Sequence, residues 1–268
     1  MKAVVLVGGE GTRLRPLTLT SPKQMLPIVG VPMIERVLGQ LAAHGVDEAV
    51  LSLGYLPDAF TEAYPDGRAA GVALTYAVEP EPLDTAGAVR FAATFAGITE
   101  TFVVVNGDVL TDMNLTTLVE FHRDRGAEGT IALHPVADPS AFGVVPTNSE
   151  GRVTAFVEKP PRDEAPTNEI NAGTYVLEPS VLARIPEGGR VSIERETFPP
   201  WCATATSSPV PTTPTGSTRA RRRRISRPIS TTSPAGAGRR SRPASSTVGG
   251  ACSSRARAWS RATSSVPP

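Results

Sequence analysis

Residues 3–15 read AVVLVGGEGTRLR, and this stretch decides the fold. The run at residues 3–7 is short, apolar and rich in β-branched side chains, which is typical of a buried strand. Gly8, Gly9 and Gly11 follow it, and glycines allow successive backbone N–H groups to point at an anion. We therefore expect a strand that leads directly into a phosphate-binding turn.

Outward from this strand, helical and strand-like patterns alternate as far as about Pro199. The alternation predicts an α/β domain with a Rossmann-like, mixed but mostly parallel sheet flanked by helices, and with ligands at the carboxyl ends of the strands. The predicted helices are residues 32–45, 85–95 and 115–125, and the further predicted strands are residues 49–53, 72–78, 102–105 and 130–133.

The distribution of charge divides the chain in two. No Asp, Glu or Lys follows Glu196, whereas twelve arginines lie between Arg219 and Arg261. From Trp201 onward the composition is dominated by Ser, Thr, Pro, Ala, Gly and Arg, with no Phe, Tyr or Leu, and such a composition cannot bury enough apolar surface to offset chain entropy. We expect a folded domain over residues 1–200 and a disordered tail over residues 201–268.

Other bulk features place the chain among ordinary globular proteins. There is no apolar run of the roughly 20 residues that cross a membrane, and residues 3–7 are too short for the apolar part of a signal peptide. Cys202 and Cys252 fall in the tail and have no metal-binding spacing. We expect a cytoplasmic protein without a membrane partner, and the sequence leaves a homo-oligomer open.

The glycine turn has an unusual continuation. It fits neither standard phosphate motif, because the Walker sequence ends in Gly-Lys-Ser/Thr and the dinucleotide motif needs a small residue where Leu14 stands. Arg13 supplies a planar guanidinium for phosphate oxygens. Residues 21–27, SPKQMLP, then place Lys23 in a proline-bounded loop. Such a loop would bring a second cation to the same phosphates.

Together GGEGTRLRPLT and PKQMLP resemble the signature of the sugar-nucleotide pyrophosphorylases, a nucleotidyltransferase family that makes NDP-sugars from an NTP and a sugar 1-phosphate. The resemblance implies that residues 1–200 are a nucleotidyltransferase domain whose C-terminal part is missing. It also implies that Arg13 and Lys23 act in catalysis by stabilising the departing pyrophosphate. The implied nucleotide-binding residues of this turn are Gly8, Gly9, Gly11 and Thr12.

One aspartate follows a buried strand. Asp108 comes directly after residues 102–107, FVVVNG, at a strand end where α/β proteins place ligands. Phosphoryl chemistry commonly uses Mg²⁺ held by few carboxylates. The family resemblance implies that Asp108 binds Mg²⁺, the expected cofactor.

The second half of the domain resembles the family's sugar-binding side. Residues 156–160, FVEKP, and residues 168–173, NEINAG, match its EKP and N-x-G elements. Lys159 is one of only three lysines in the chain. The resemblance implies that Glu158, Lys159, Asn171 and Gly173 bind the sugar phosphate.

The base-reading segment is residues 78–87, VEPEPLDTAG, which implies nucleotide contacts from Glu79 and Gly87. A carboxylate only accepts hydrogen bonds, which suits the N1–H and N2–H₂ donors of guanine, whereas the thymidylyltransferases carry Gln here. Residues 170–185 and 191–199 resemble the mannose-1-phosphate guanylyltransferase branch, so the expected substrates are GTP and mannose 1-phosphate. Asp84 stands where many relatives have Gly.

The tail lacks an expected motif. After Phe-Pro the family continues with a strand and then Trp-x-Asp-x-Gly-x-Pro, whose Asp is the second Mg²⁺ ligand. Pro214 to Arg222, back-translated as CCT ACT GGA TCG ACA CGG GCA CGC CGG and read from the third base, gives Tyr-Trp-Ile-Asp-Thr-Gly-Thr-Pro. Our hypothesis is a one-base slip near Pro199. With Asp108 as the remaining metal ligand, we expect little or no activity.

Three alternatives stay open. The chain could be a glucose-1-phosphate thymidylyltransferase, or a non-catalytic regulatory relative that binds a sugar nucleotide. The intact Arg13, Lys23, Asp108 and Lys159 speak against the regulatory reading. Nucleic-acid binding through the arginine-rich tail is disfavoured because no aromatic residues are interleaved with the arginines.

Overall fold

A computed structural model describes residues 1–199, 201 and 212–214, all of which belong to one compact unit, Met1–Arg219. It contains four α-helices and twelve strands among these residues. The helices are α1 (Met33–Ala43), α2 (Asp58–Ala63), α3 (Asp84–Phe95) and α4 (Leu115–Arg125). The strands are β1 (Lys2–Leu6), β2 (Pro27–Ile28), β3 (Val31–Pro32), β4 (Glu48–Leu53), β5 (Arg68–Ala69), β6 (Val72–Val78), β7 (Phe102–Asn106), β8 (Gly129–Pro135), β9 (Gly143–Val144), β10 (Val157–Glu158), β11 (Glu169–Leu177) and β12 (Thr212–Pro214).

Ten of these strands form one mixed sheet, in the order β10-β9-β11-β7-β1-β4-β6-β5, with β8 paired to β11 and β12 paired to β8. Its centre is parallel, because β1 pairs in parallel with β7 and β4, and β4 with β6. The strand β11 lies antiparallel between β7 and β8. The predicted fold class, a mostly parallel mixed sheet flanked by helices, is confirmed.

Helices cover both faces of the sheet because most strands are apolar on both sides. One apolar core joins β1 and β4 to α1, α2 and α4. The second joins the opposite face to α3 and to the segment that ends at Phe198 and Trp201. Because helices bury both faces of the parallel strands, the loops that can bind ligands lie at the carboxyl ends of these strands. In this chain those loops carry Gly8, Glu79 and Asp108.

Two short described segments lie within the region that the sequence predicts to be a disordered tail. The Trp201 side chain is 3% exposed, and Thr212–Pro214 forms β12, parallel to β8. Trp201 packs beside Phe198, with ring centroids 5.8 Å apart, and Arg184 lies over its ring. One aromatic side chain buries enough apolar area to hold its short segment against the core, which an average over composition misses. The rest of the predicted disordered tail lies outside the described residues.

Among the described residues, no helix is both long enough and apolar enough to cross a membrane.

Candidate functional site

The glycine turn lies against the end of β4. A Cβ added to Gly54 would lie 3.0 Å from the carbonyl oxygen of Gly8, and a Cβ on Gly8 would lie 3.3 Å from Oε1 of Glu79. These contacts are tighter than side chains normally allow, so the backbones at 8 and 54 approach as closely as they do because both residues are glycine. The turn therefore places Glu79 directly beside Gly8.

Beyond this contact the chain reverses at Gly11. Gly11 has a left-handed φ of 62°, and its carbonyl oxygen accepts a hydrogen bond from Thr18 Oγ1 at 2.9 Å. The 3₁₀ turn Thr12–Leu14 follows and leaves the Thr12 and Arg13 side chains exposed. Within the described part of the chain, the Arg13 guanidinium makes no hydrogen bond or ion pair. It is therefore a free cation at the rim of the turn.

The structure brings Lys23 and Asp108 into contact. The Lys23 ammonium forms a hydrogen-bonded ion pair with Oδ2 of Asp108, and the two side chains are 20% and 35% exposed. A Cβ added to Gly9 would lie 3.5 Å from the same ammonium. The lysine is positioned by the 3₁₀ turn Lys23–Met25, and the aspartate by the end of β7. The glycine turn, Lys23 and Asp108 thus lie beside one another at the carboxyl ends of the parallel strands.

Asp108 fits a partial magnesium site. The described residues contain no group of three or more His, Cys, Asp or Glu side chains that could hold a metal ion. Mg²⁺, however, is typically bound by one or two carboxylates together with substrate phosphates and waters. Asp108 is partly exposed and already pairs with a cation, so its chemistry suits that arrangement.

Glu79 is held firmly at the end of β6. Its Oε1 accepts a hydrogen bond from Ser52 Oγ at 2.9 Å, and its Oε2 accepts one from the Leu83 backbone N–H at 3.2 Å. Ser52 is fully buried at the end of β4. Each carboxylate oxygen keeps a second lone pair, so the group is oriented by the protein and can still accept from a ligand.

Gly87 lies deeper than the other predicted nucleotide-binding residues. It is buried in α3, and a Cβ there would lie 2.9 Å from the Gly189 carbonyl oxygen and 3.0 Å from the Leu83 Cβ. The structure gives it these packing contacts and a hydrogen bond from its N–H to the Val191 carbonyl oxygen at 3.3 Å, all of them between α3 and the segment 189–191 or at the start of α3 itself. It is not joined to the glycine turn by any of them.

The predicted sugar-side residues fall into two groups. Asn171 and Gly173 lie in a bulge of β11, where the Gly173 N–H donates to Asn171 Oδ1 at 2.8 Å. Gly173 has a φ of 68°, and a Cβ there would lie 2.5 Å from Nδ2 of Asn106. The bulge therefore packs against the end of β7, two residues before Asp108.

Glu158 and Lys159 form the other group. They pair with each other at the end of β10, with side chains 46% and 62% exposed. The Lys159 N–H donates to the Phe142 carbonyl oxygen at 3.0 Å. Their contacts within the described residues do not connect them to the Lys23–Asp108 pair.

Several polar residues that contact the predicted site were not predicted from the sequence. They are Ser52, which holds Glu79, and the linked side chains Thr85, Tyr175, Ser192 and Glu194 beside Asn171. Ser52 carries a weak signal, because it is a lone hydroxyl inside the apolar strand β4. The other residues are brought together by long-range packing, for which the sequence has no local pattern.

The fold and the geometry of the glycine turn define an α/β protein with a glycine-rich, cation-bearing turn at the carboxyl ends of the parallel strands of a mixed sheet. The chain belongs to the nucleotidyl transferase family, whose sequence profile matches residues 2–198. It is 48% identical over 199 residues to a mannose-1-phosphate guanylyltransferase of Mycobacterium tuberculosis, a match that covers 74% of this chain and 54% of that protein. The chain spans about half the length of the curated relatives it matches.

Further relatives carry other names within the same class. The chain is 37% identical over 211 residues to a UTP–glucose-1-phosphate uridylyltransferase of Synechocystis, covering 74% of this chain and 54% of that protein. The crystal structure of HddC from Yersinia pseudotuberculosis complexed with GMP-PN is 28% identical, with a TM-score of 0.66, and the match covers 80% of this chain and 90% of that one.

Proposed function

We propose that the domain formed by residues 1–199 is built to transfer a nucleotidyl group from GTP to mannose 1-phosphate, giving GDP-mannose and pyrophosphate. The observation that carries this proposal is the Lys23–Asp108 pair beside the glycine turn. The glycine turn would let backbone N–H groups approach the phosphates of a triphosphate closely. The neighbouring cation and carboxylate suit those phosphates and their magnesium ion. The relatives that are 44–48% identical and are named mannose-1-phosphate guanylyltransferases support the choice of substrates.

The chemistry needs positioning and charge neutralisation more than proton transfer. A phosphate oxygen of the sugar 1-phosphate would attack the α-phosphorus in line and expel pyrophosphate. The nucleophile is already an anion, so no general base is required. Arg13, free at the rim, and Lys23 would offset the charge that develops on the leaving pyrophosphate.

Magnesium would be held by Asp108 together with phosphate oxygens. When bound, it supplies Lewis-acid stabilisation of phosphate charge. Because Asp108 pairs with Lys23 in this structure, metal binding would release the lysine ammonium for the phosphates. Lys23 is therefore proposed to exchange one anionic partner for another as substrate binds.

Guanine would be read at Glu79. Ser52 and the Leu83 N–H leave one lone pair on each oxygen, which matches the two adjacent donors on the guanine edge. Thymidylyltransferase activity, which would use dTTP, is the second candidate. The uridylyltransferase relative adds UTP as a third nucleotide to compare. A binding panel of GTP, dTTP and UTP separates them.

We propose that this chain binds its substrates but turns them over poorly. The sequence has no Asp after Glu196, so it lacks the magnesium-binding Asp that the resemblance leads us to expect beyond Pro199. Nucleotide binding to the turn does not need that residue, whereas alignment and neutralisation of the reacting phosphates do. Binding and turnover should therefore separate in this chain.

Calorimetric titration of the 268-residue chain with GTP and Mg²⁺ tests the nucleotide site. Arg13→Ala should weaken GTP binding roughly tenfold, since it removes one charge-assisted phosphate contact. It should leave thermal stability unchanged, because Arg13 has no partner among the described residues. Arg15→Ala is the matched control, since Arg15 already pairs with Glu10 at 2.9 Å. Equal GTP affinity in the wild type and in Arg13→Ala would contradict the proposed site.

A further inference from the structure

A chain of hydrogen bonds runs from β11 to the start of α3. Asn171 Nδ2 contacts the Tyr175 hydroxyl at 2.7 Å, and that hydroxyl contacts Glu194 Oε1 at 3.1 Å. The other oxygen, Glu194 Oε2, accepts from Thr85 Oγ1 at 2.9 Å and from Ser192 Oγ at 3.0 Å. We call Asn171, Tyr175, Glu194 and Thr85 the polar relay.

The donor and acceptor roles along the relay are fixed. A carboxylate only accepts, so the Tyr175 hydroxyl must donate to Glu194 and can then only accept from Asn171. The Asn171 amide must consequently turn its nitrogen toward Tyr175 and its oxygen away. The Gly173 N–H, which donates to Asn171 Oδ1 at 2.8 Å, requires the same orientation.

The far end of the relay is fixed in the same way. The Ile193 N–H donates to Thr85 Oγ1 at 2.8 Å, so the hydroxyl proton of Thr85 is directed to Glu194. Thr85 lies in α3, two residues before Gly87. The relay therefore spans from the helix that follows Glu79 to the predicted sugar-binding bulge.

Tyr175 stays a donor throughout the physiological range. Burial, followed by the negative charge of Glu194, raises the pKa of the Tyr175 hydroxyl well above its ordinary value. Its ring is 1% exposed and packs beside Phe198 at a centroid distance of 5.4 Å. A phenylalanine would fill this packing space equally well, so the hydroxyl contributes only the relay contacts.

We infer that Tyr175 and Glu194 are positioning residues that fix the amide of Asn171 for the sugar ring. With Nδ2 directed at Tyr175 and Oδ1 at Gly173, Asn171 keeps one N–H and one lone pair in defined directions for a ligand hydroxyl. Without the relay the amide loses one of the two contacts that fix its orientation, and only the Gly173 N–H still holds it. The inference rests on the proposed function, because it takes Asn171 as a contact of the sugar phosphate.

The test is the affinity of Tyr175→Phe for each substrate separately, measured by calorimetry on the full chain. Affinity for mannose 1-phosphate, titrated in the presence of Mg²⁺, should fall roughly tenfold, about the value of one hydrogen bond to a charged or oriented group. Affinity for GTP should stay within about twofold, because the glycine turn, Lys23 and Asp108 are untouched. A hydroxyl with a purely structural role would change neither affinity.

Tyr64→Phe is the matched control. Tyr64 is also buried, and its hydroxyl donates to Glu35 Oε1 at 3.0 Å, so the variant removes the same type of contact from the opposite core. It should lower stability and leave both affinities unchanged. Thr85→Val tests the far end of the relay if Tyr175→Phe does not fold, and it should weaken mannose 1-phosphate binding in the same direction.

The possible outcomes separate the inference from the proposed function. Wild-type affinity for mannose 1-phosphate in folded Tyr175→Phe would overturn the inference and leave the proposed function standing. A wild-type chain that binds GTP but no mannose 1-phosphate would overturn the proposed sugar substrate, and the inference with it. Parallel losses for GTP and mannose 1-phosphate would also overturn it, since they indicate general damage to the cleft.

Discussion

Glu79 is the residue that we propose to set which base the protein accepts. A buried serine hydroxyl and a backbone N–H hold its two oxygens, so the carboxylate is oriented before any ligand arrives. Such preorganisation lowers the entropy cost of binding and makes the acceptor pattern specific. Under this proposal, a base that presents two donors is favoured over one that presents a donor and an acceptor.

Replacing this carboxylate by an amide should shift the nucleotide preference. In Glu79→Gln, the ratio of GTP affinity to dTTP affinity should fall at least roughly tenfold, because one acceptor becomes a donor that opposes a guanine donor. Titration calorimetry with both nucleotides measures the ratio. Glu81→Gln, an exposed change two residues along, is the control. An unchanged ratio in Glu79→Gln would remove Glu79 from base recognition.

Among the elements, the segment from the end of β11 to Trp201 closes one side of the sheet. Glu128, just before β8, receives hydrogen bonds from Arg184 Nε at 3.0 Å and Arg184 Nη2 at 2.7 Å, and one from Ser180 Oγ at 3.0 Å. Trp201 then covers the Arg184 guanidinium at 5.3 Å. This cluster ties the last helical turns to the body of the domain.

Removing the indole of Trp201 should therefore destabilise the whole domain. Trp201→Ala should lower the free energy of unfolding by about 3 kcal/mol, as for other large aromatic side chains truncated in a core. Urea unfolding followed by circular dichroism measures it. The chain offers a matched control in its other tryptophan, Trp259, whose surrounding sequence has the composition of an unfolded segment. Equal losses in the two variants would show that Trp201 is not part of the fold.

The same cluster should respond to acid. Burial acts to raise the pKa of Glu128, but the hydrogen bonds from Arg184 and Ser180 outweigh it and lower the pKa below its ordinary 4.5. A lowered pKa in the folded state contributes stability above that ordinary value, and the contribution is lost as pH falls through the folded-state pKa.

Consequently, the Tm difference between the wild type and Glu128→Gln should be largest near neutral pH and should shrink from about pH 5 downward. Differential scanning calorimetry across this range provides the measurement. Glu62→Gln removes an exposed carboxylate of α2 and serves as the control. A Tm difference that stays constant into acid would mean that the Arg184 contact does not stabilise ionised Glu128.

Sequence patterns predicted the regular elements closely because their causes are local. The bounds of β6 and α4 agree with the predicted residues 72–78 and 115–125, since apolar periodicity and nearby stop signals define both. The strand β11 was not assigned, because its bulge between Asn171 and Tyr175 interrupts the alternation. The polar relay could not be foreseen, because Thr85 and Glu194 are 109 positions apart and meet only through packing.

At the scale of the whole molecule, the first 200 residues and the tail differ sharply in charge. All the Asp and Glu residues lie in the first part, whereas the tail carries twelve arginines. When the tail sequence is back-translated and read in the offset frame, it gives the Trp-x-Asp-x-Gly-x-Pro motif that the resemblance leads us to expect. The strand β12, which pairs with β8, is formed by Thr212–Pro214 of the sequence as given and not by the offset frame. Sequencing of the gene around the codons for Phe198 to Trp201 tests the slip directly.

A chain translated in the offset frame after Pro199 should regain turnover. We expect pyrophosphate release from GTP and mannose 1-phosphate to rise on the order of 100-fold or more, because a second carboxylate would complete the magnesium site. The chain as encoded here is the comparison, and GTP affinity should differ much less than turnover does. Equal rates in the two chains would mean that the missing aspartate is not what limits activity.

The packing of Trp201 gives the junction an optical reporter. A Cβ on Gly129 would lie only 2.4 Å from the indole ring, so the ring fits there because residue 129 has no side chain. Emission from a tryptophan in this dry pocket should lie at shorter wavelength than emission from one in water. In a Trp259→Phe background, the emission wavelength of each purified fraction would show whether Trp201 is packed in that fraction or exposed to water.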